Sequence, residues 1–289
     1  MRWLGRALLL ASLAVSTVTA ELSFEATMKQ DGKEVKVSKT DFRPVPPLRH
    51  GRRGPRGGRD RHGRPAGGEQ PAARDLISYS SNWCGASQHT TQNDGISSVA
   101  GYFQVPDLTL RPGVPAPQFA AAWVGIDGAE CNTTLLQAGV TTVVNSNGGQ
   151  SAYAWWEWYP EVAYSFDNLR VKPGEWLYVE ITASSPTDGK VVVHNLDRGT
   201  TITLHISNGP QLCRLDAEWI VEDFYDSEQQ VNFGKFTDLW FVDVAARTVT
   251  GRQIGIDGAA MVHLVDDNGK TLCSAEPYDN ANFVVLSHD

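Results

Sequence analysis

From Asp75 to Asp289 apolar and polar residues alternate in short runs, and turn-forming residues interrupt those runs. Period-two alternation places successive side chains on opposite faces of a strand, so each run has one face that must find cover. Ser97–Val105, Phe119–Ile126, Thr134–Val144, Ala152–Tyr159, Leu177–Ala183, Val191–His194, Thr200–Ile206, Ala217–Phe224, Asp238–Ala245 and Asn282–Leu286 all read as strands. Asn93-Asp94-Gly95, Asp127-Gly128, Asn147-Gly148-Gly149, Thr187-Asp188-Gly189, Asn208-Gly209-Pro210 and Asp267-Asn268-Gly269 lie between them as turn formers. No stretch reads as a helix longer than a turn or two. So many short strands must stack as two sheets or close into a barrel. The expected fold is all-β, a β-sandwich of two antiparallel sheets. With 289 residues, 41% of them hydrophobic, the chain can bury a full core. Only 20% charged residues, with 27 Gly and 15 Pro, exclude a coiled coil or a wholly disordered chain.

The net charge of -8 conceals a division. Residues 21–74 hold 13 basic and 7 acidic side chains, whereas residues 75–289 hold 10 basic and 26 acidic ones. A body that acidic does not offer the basic surface that nucleic-acid phosphates require. It suits an acidic medium, where protonation relieves its self-repulsion, and greater stability near pH 4 than near pH 8 is expected. Residues 1–20 read as a secretory signal. Arg2 and Arg6 precede the apolar run Leu8–Val15, and Val18-Thr19-Ala20 offers small residues for cleavage. That run is too short to span a membrane, so a secreted, extracellular protein is expected. Gly51–Gly68, with seven Gly and six Arg, reads as a flexible basic linker, and Arg52-Arg53 and Arg74 are candidate processing sites. Residues 21–74 therefore read as a basic propeptide and linker, an electrostatic inhibitor of the acidic body 75–289; the alternative is a basic tail that binds an anionic surface.

Cys84, Cys131, Cys213 and Cys273 give an even count, which in a secreted chain suggests two disulfides with three possible connectivities. No Cys or His grouping has metal-ligand spacing, and no metal or organic cofactor is expected. Nothing in the sequence calls for an oligomer. The Walker loop, the dinucleotide fingerprint, the G-x-S-x-G elbow and H-E-x-x-H are all absent.

Four stretches could carry chemistry. Ala121–Gly128 is a strand entering a turn. In Leu135–Gly139 alternation sets Leu135, Gln137 and Gly139 on one face, where a Gln is either a wet spacer or a buried amide. In Ala217–Phe224 Glu218, Ile220, Glu222 and Phe224 share a face, a wet surface or a cleft floor. In Tyr153–Pro160 one face carries Tyr153, Trp155, Glu157 and Tyr159 and the other Ala154, Trp156 and Trp158. One face is core and one could be an aromatic groove; periodicity does not say which.

Together with Asn82-Trp83, these stretches stand in an order and at spacings that resemble the glutamic peptidases, the eqolisin family. The resemblance runs from about Asn82 to the C-terminus. It implies a secreted, pepstatin-insensitive acid endopeptidase on a concanavalin A-like sandwich, made with a basic propeptide and acting on polypeptides. It implies that Gln137 and Glu222 are the catalytic pair, that Trp123, Asp127, Gly128, Trp155, Glu157 and Tyr159 form the substrate site, and that Cys131 pairs with Cys213. Cys84 and Cys273 would then form a second bridge. Departures from the family pattern at Cys84, Tyr153 and Ala129-Glu130 bear on subsite preference.

The chemistry is coherent. An ionised Glu222 can take a proton from water and return it to the leaving amine. Gln137 can donate to the developing oxyanion, and an amide does not titrate. A glutamate with an ordinary pKa of roughly 4.3 remains a base in acid where a histidine is protonated. The competing reading is a glycoside hydrolase or a lectin on a similar sandwich. Its obvious acid pair, Glu218 and Glu222, is about 13 Å apart along one strand, beyond the separations that glycosidases use.

Overall fold

The structure is a computed structural model that describes residues 21–45, 48–49, 76–226 and 229–289. The expected signal at 1–20, the Gly51–Gly68 linker and the processing sites Arg52-Arg53 and Arg74 lie outside these residues.

The strands that build the molecule are, in chain order, β1 (Ser23–Gln30), β2 (Phe42–Val45), β3 (Leu48–Arg49), β4 (Trp83–His89), β5 (Ile96–Gln104), β6 (Gln118–Ile126), β7 (Leu135–Val144), β8 (Gln150–Tyr159) and β9 (Ala163–Phe166). They continue with β10 (Trp176–Ala183), β11 (Gly189–Asn195), β12 (Thr200–Ser207), β13 (Asp216–Glu222), β14 (Tyr225–Asp226), β15 (Leu239–Thr248), β16 (Ala260–Val265), β17 (Thr271–Pro277) and β18 (Phe283–Ser287). The ten strands expected from alternation are all present, displaced by a few residues at most.

One layer runs β2-β9-β8-β7-β6-β13-β4-β16 with antiparallel pairing, and the short strand Ile77–Ser80 adds in parallel to β16. The other runs β1-β12-β11-β10-β5-β15-β18-β17. Pairing of β16 with β17 joins them, so a single hydrogen-bonded sheet folds over on itself into a sandwich. Two layers are needed because the alternating strands have apolar faces that only each other can cover. Trp156, Trp158, Trp219, Phe103, Phe241 and Phe283 fill the space between the layers and are fully buried. Each large apolar side chain so buried contributes roughly 1.5–3 kcal/mol.

Both disulfides form, Cys131 with Cys213 and Cys84 with Cys273. The first ties the turn after β6 to the segment that leads into β13, and the second ties β4 to β17.

Alternation from Asp75 onward did not foretell that strands begin earlier. β1 pairs with β12 over eight residues and β2 with β9 over four, so residues from the basic N-terminal segment form an outermost strand of each layer. The pattern is local: Leu22, Phe24, Ala26 and Met28 turn inward while Ser23, Glu25, Thr27 and Lys29 are exposed.

Candidate active site

The first layer has a second face, turned away from the core, and it carries its own apolar cluster of Trp83, Ala121, Trp123, Leu135, Trp155 and Ile220, among others. Strand register sets this face out in rows. Ile220 of β13, Trp123 of β6, Gly139 of β7 and Trp155 of β8 lie side by side. The glycine is required there, since a Cβ at Gly139 would meet Trp123 Cβ at 2.6 Å and Ala122 O at 2.1 Å. The adjacent row is Ser87, Glu218, Gly125, Gln137 and Glu157. On the other side of the tryptophan row lies Glu222, paired with Trp83 and Ala121. Gln137 and Glu222 therefore project from one face, on strands separated by β6, with Trp123 between their rows.

Each of the two is held by side chains. Glu222 Oε2 accepts from Trp123 Nε1 at 2.8 Å, and Glu222 Oε1 accepts from Asn82 Nδ2 at 3.1 Å. Asn82 is itself fixed, accepting from Ser80 Oγ at 3.1 Å and taking the backbone N–H of Asp223 on its carbonyl. Gln137 Nε2 donates to Glu157 Oε2 at 2.6 Å, directly across from it in register. The Trp155 indole donates to Thr141 Oγ1 at 3.0 Å, which locks its ring. Tyr159 packs against the edge of the same cluster. Asn82, Gln137, Thr141, Glu157 and Glu222 are buried, and a hydrogen-bonded buried polar group keeps one orientation.

The structure thus gathers Trp123, Trp155, Glu157, Tyr159, Gln137 and Glu222 on one surface. It also settles the two aromatic faces of β8: Trp156 and Trp158 are core, and Tyr153, Trp155, Glu157 and Tyr159 belong to the site face. The face of β13 with Glu218 and Glu222 is a buried floor rather than a wet surface.

Asp127 and Gly128 lie in the turn after β6. Asp127 is fully buried, and its two carboxylate oxygens accept from the backbone N–H groups of Arg214 at 2.9 Å and Leu215 at 2.7 Å. Burial pushes this carboxyl up to about 6, against the pull of those N–H donors. It anchors the segment before β13 beside the Cys131–Cys213 bridge. Gly128 has φ +111°, and a Cβ there would meet the Trp83 ring at 2.9 Å, so it serves by keeping space.

Two further carboxyls belong to the face. Glu218 accepts from Ser87 Oγ at 3.3 Å, and burial, with Asp216 and Asp127 nearby, raises its carboxyl well above the usual range. Asp216 accepts from the backbone of Glu130 and Cys131 and pairs with His89 at 2.7 Å. The cluster of Asp127 with Cys131 and Cys213 has metal-like spacing, but both sulfurs are in the disulfide and offer no thiolate. Sequence reasoning gave no role to Asn82, Thr141 or Ser87. Asn82 stood in the family-like Asn-Trp pair, which was its one signal.

The Peptidase A4 family matches residues 81–287. Aspergillopepsin-2 of Aspergillus niger is 34% identical over 208 residues, 65% of this chain and 72% of that protein. Scytalidopepsin B of Scytalidium lignicola is 31% identical over 198 residues, 65% of this chain and 71% of that protein. The crystal structure of scytalido-glutamic peptidase with a peptide-based transition-state analogue superposes with a TM-score of 0.63 at 28% identity, covering 72% of this chain and 98% of that one. That of aspergilloglutamic peptidase from Aspergillus niger gives a TM-score of 0.55 at 34% identity, over 59% of this chain and 99% of that one. The chain belongs to the Peptidase A4 family, the glutamic peptidases.

Proposed function

We propose that this glutamic endopeptidase is secreted, works in acid, and hydrolyses peptide bonds with Glu222 as general base and Gln137 as oxyanion donor. The observation that carries the reading is that both side chains stand on one aromatic face, each oriented by its own partner. Trp123 and Asn82 grip the Glu222 carboxylate, and Glu157 grips the Gln137 amide.

Water adds its oxygen to the scissile carbonyl carbon while Glu222 takes the proton. The carbonyl oxygen becomes an anion and accepts an N–H of the Gln137 amide, whose nitrogen also faces Glu157. Glu222 then passes its proton to the amine nitrogen as the C–N bond breaks, which leaves a carboxylic acid and an amine and restores the carboxylate. Trp123, Trp155 and Tyr159 offer the apolar surface against which an extended peptide lies. Glu157 and Trp123 act as positioning residues.

Residues 1–20 act as the secretory signal in this reading, and the basic segment 21–74 restrains the acidic body until it is cut. The enzyme acts as a monomer without a metal or organic cofactor. The test is cleavage of a denatured protein from pH 2 to pH 7, after acid activation and with pepstatin present. Cleavage confined to acid and indifferent to pepstatin is expected. A folded, processed enzyme that cleaves nothing, or that pepstatin stops, contradicts the reading. Turnover of oligosaccharides in its place would favour the glycosidase alternative.

A further inference from the structure

The N-terminal segment is not uniform. Residues 21–45 carry five basic and five acidic side chains, while residues 46–74 carry eight and two, so the whole charge excess lies in the second part. The first part is held by shape. β1 adds to the edge of β12 through eight registered pairs, and β2 adds to the edge of β9 through four. Side chains from these two strands meet between the layers, where the Phe24 ring lies 5.0 Å from Phe42 and 5.1 Å from Trp156, and Phe42 lies 5.9 Å from Phe166. Met28 and Phe42 are buried, and Leu22, Phe24, Ala26 and Val37 pack on the main core. Without this segment β9 and β12 would each end a layer with a row of unpaired backbone groups, and Trp156 would lose a neighbour. The family match begins at residue 81, so this closure is additional to the family body. Among the described residues of the segment, it is β3 that pairs with β14, three residues beyond Glu222.

We propose that residues 22–45 are a lasting part of the sandwich: once the chain is cut between residues 46 and 75, they stay across β9 and β12 as a second, non-covalent chain. The inference rests on the reading that the basic segment is cut. Its logic is strand addition, in which backbone pairing supplies the hold and alternate side chains in apolar slots supply the fit. The basic excess that would restrain the acidic body lies wholly in the second part. The active enzyme is then a complex of two chains, and the first part is a bound partner whose loss would bare two sheet edges.

The experiment uses the full chain, activated in acid and, in parallel, cut at a specific protease sequence placed within Gly51–Gly68. Each product is gel-filtered without denaturant, assayed, and its components weighed by mass spectrometry after denaturation. A peptide that contains residues 22–45 is expected at about one per body in the active fractions. Phe24→Ala with Phe42→Ala should lower that ratio more than tenfold. An active body that elutes with less than a tenth of the peptide overturns the proposal. A chain that acid never cuts overturns the processing reading instead, and the engineered cut still decides retention. Should the double variant not fold, amide exchange across Thr200–Ser207 decides the matter in the cut wild type. Protection equal to that of the uncut chain is expected, and rapid exchange there with the rest of the body protected contradicts it.

Discussion

Strand β8 carries five aromatic residues on two faces that do different work. Trp156 and Trp158 point between the layers, while Trp155 and Tyr159 point to the site face beside Glu157. On the core face the demand is for volume, and neighbours are apolar. On the site face two of the tryptophans bind polar groups: Trp123 donates to Glu222, and Trp155 donates to Thr141. One strand therefore contributes stability through one face and chemistry through the other. Aromatic content alone does not separate the two; hydrogen-bonded carboxylates do.

The comparison can be broken by substitutions that damage one face and spare the other. Trp156→Ala removes core volume and should cost about 3–5 kcal/mol of stability. Activity per folded molecule should be nearly unchanged; thermal melts beside active-site-normalised rates check both. Gln137→Ala should do the reverse, lowering kcat about 10²–10³-fold, as loss of an oxyanion donor does, with a melting curve close to wild type. Trp123→Phe keeps the ring and deletes the donor to Glu222, a bond to a charged group worth about 1.5–3 kcal/mol. A fall in kcat of at least tenfold with little change in KM is expected, and an unchanged kcat would deny Trp123 its positioning role.

The smallest effect concerns pH. Burial raises the carboxyl of Asp127 to about 6 and holds that of Glu218 well above the usual carboxylate range, so the folded protein keeps protons that the unfolded chain releases near pH 4. His89, raised by its hydrogen bond to Asp216, also favours its protonated form when folded. All three contribute stability that is complete at low pH and lost as the pH rises through these groups. The melting temperature should fall from pH 4 to pH 8. Glu218→Gln places a neutral amide where an oxygen, Oε2, has no partner among the described residues. It should flatten that decline while leaving acid activity within a few-fold, and an undiminished slope in calorimetric scans would remove Glu218 from the explanation.

Much of this was legible in the sequence, for physical reasons that also mark the limit. Strands with one wet face, such as β10 and β12, show plain alternation and were found. β4 was not, because it is buried on both faces and fills them with Cys84, Gly85, Ala86 and Ser87, a run with no period. Gly85 is held so close to β13 that a Cβ would lie 2.1 Å from Trp219 O. β1 does alternate, yet its charged, exposed residues made it read as part of a basic segment. Gln137 and Glu222 were legible through the family-like motifs around them. The grip of Asn82 on Glu222 spans 140 residues and has no local signature. Asp127 entered through the family-like motif, and its partners, backbone N–H groups 87 and 88 residues away, have no local signature either.

The most direct test of the account is the rate of Glu222→Gln on a denatured protein at acidic pH, beside its melting curve. The account predicts a folded protein that binds peptide and has lost at least about 10³-fold in kcat, within the range general-base catalysis supplies. A folded Glu222→Gln enzyme that still cleaves within tenfold of wild type would contradict it.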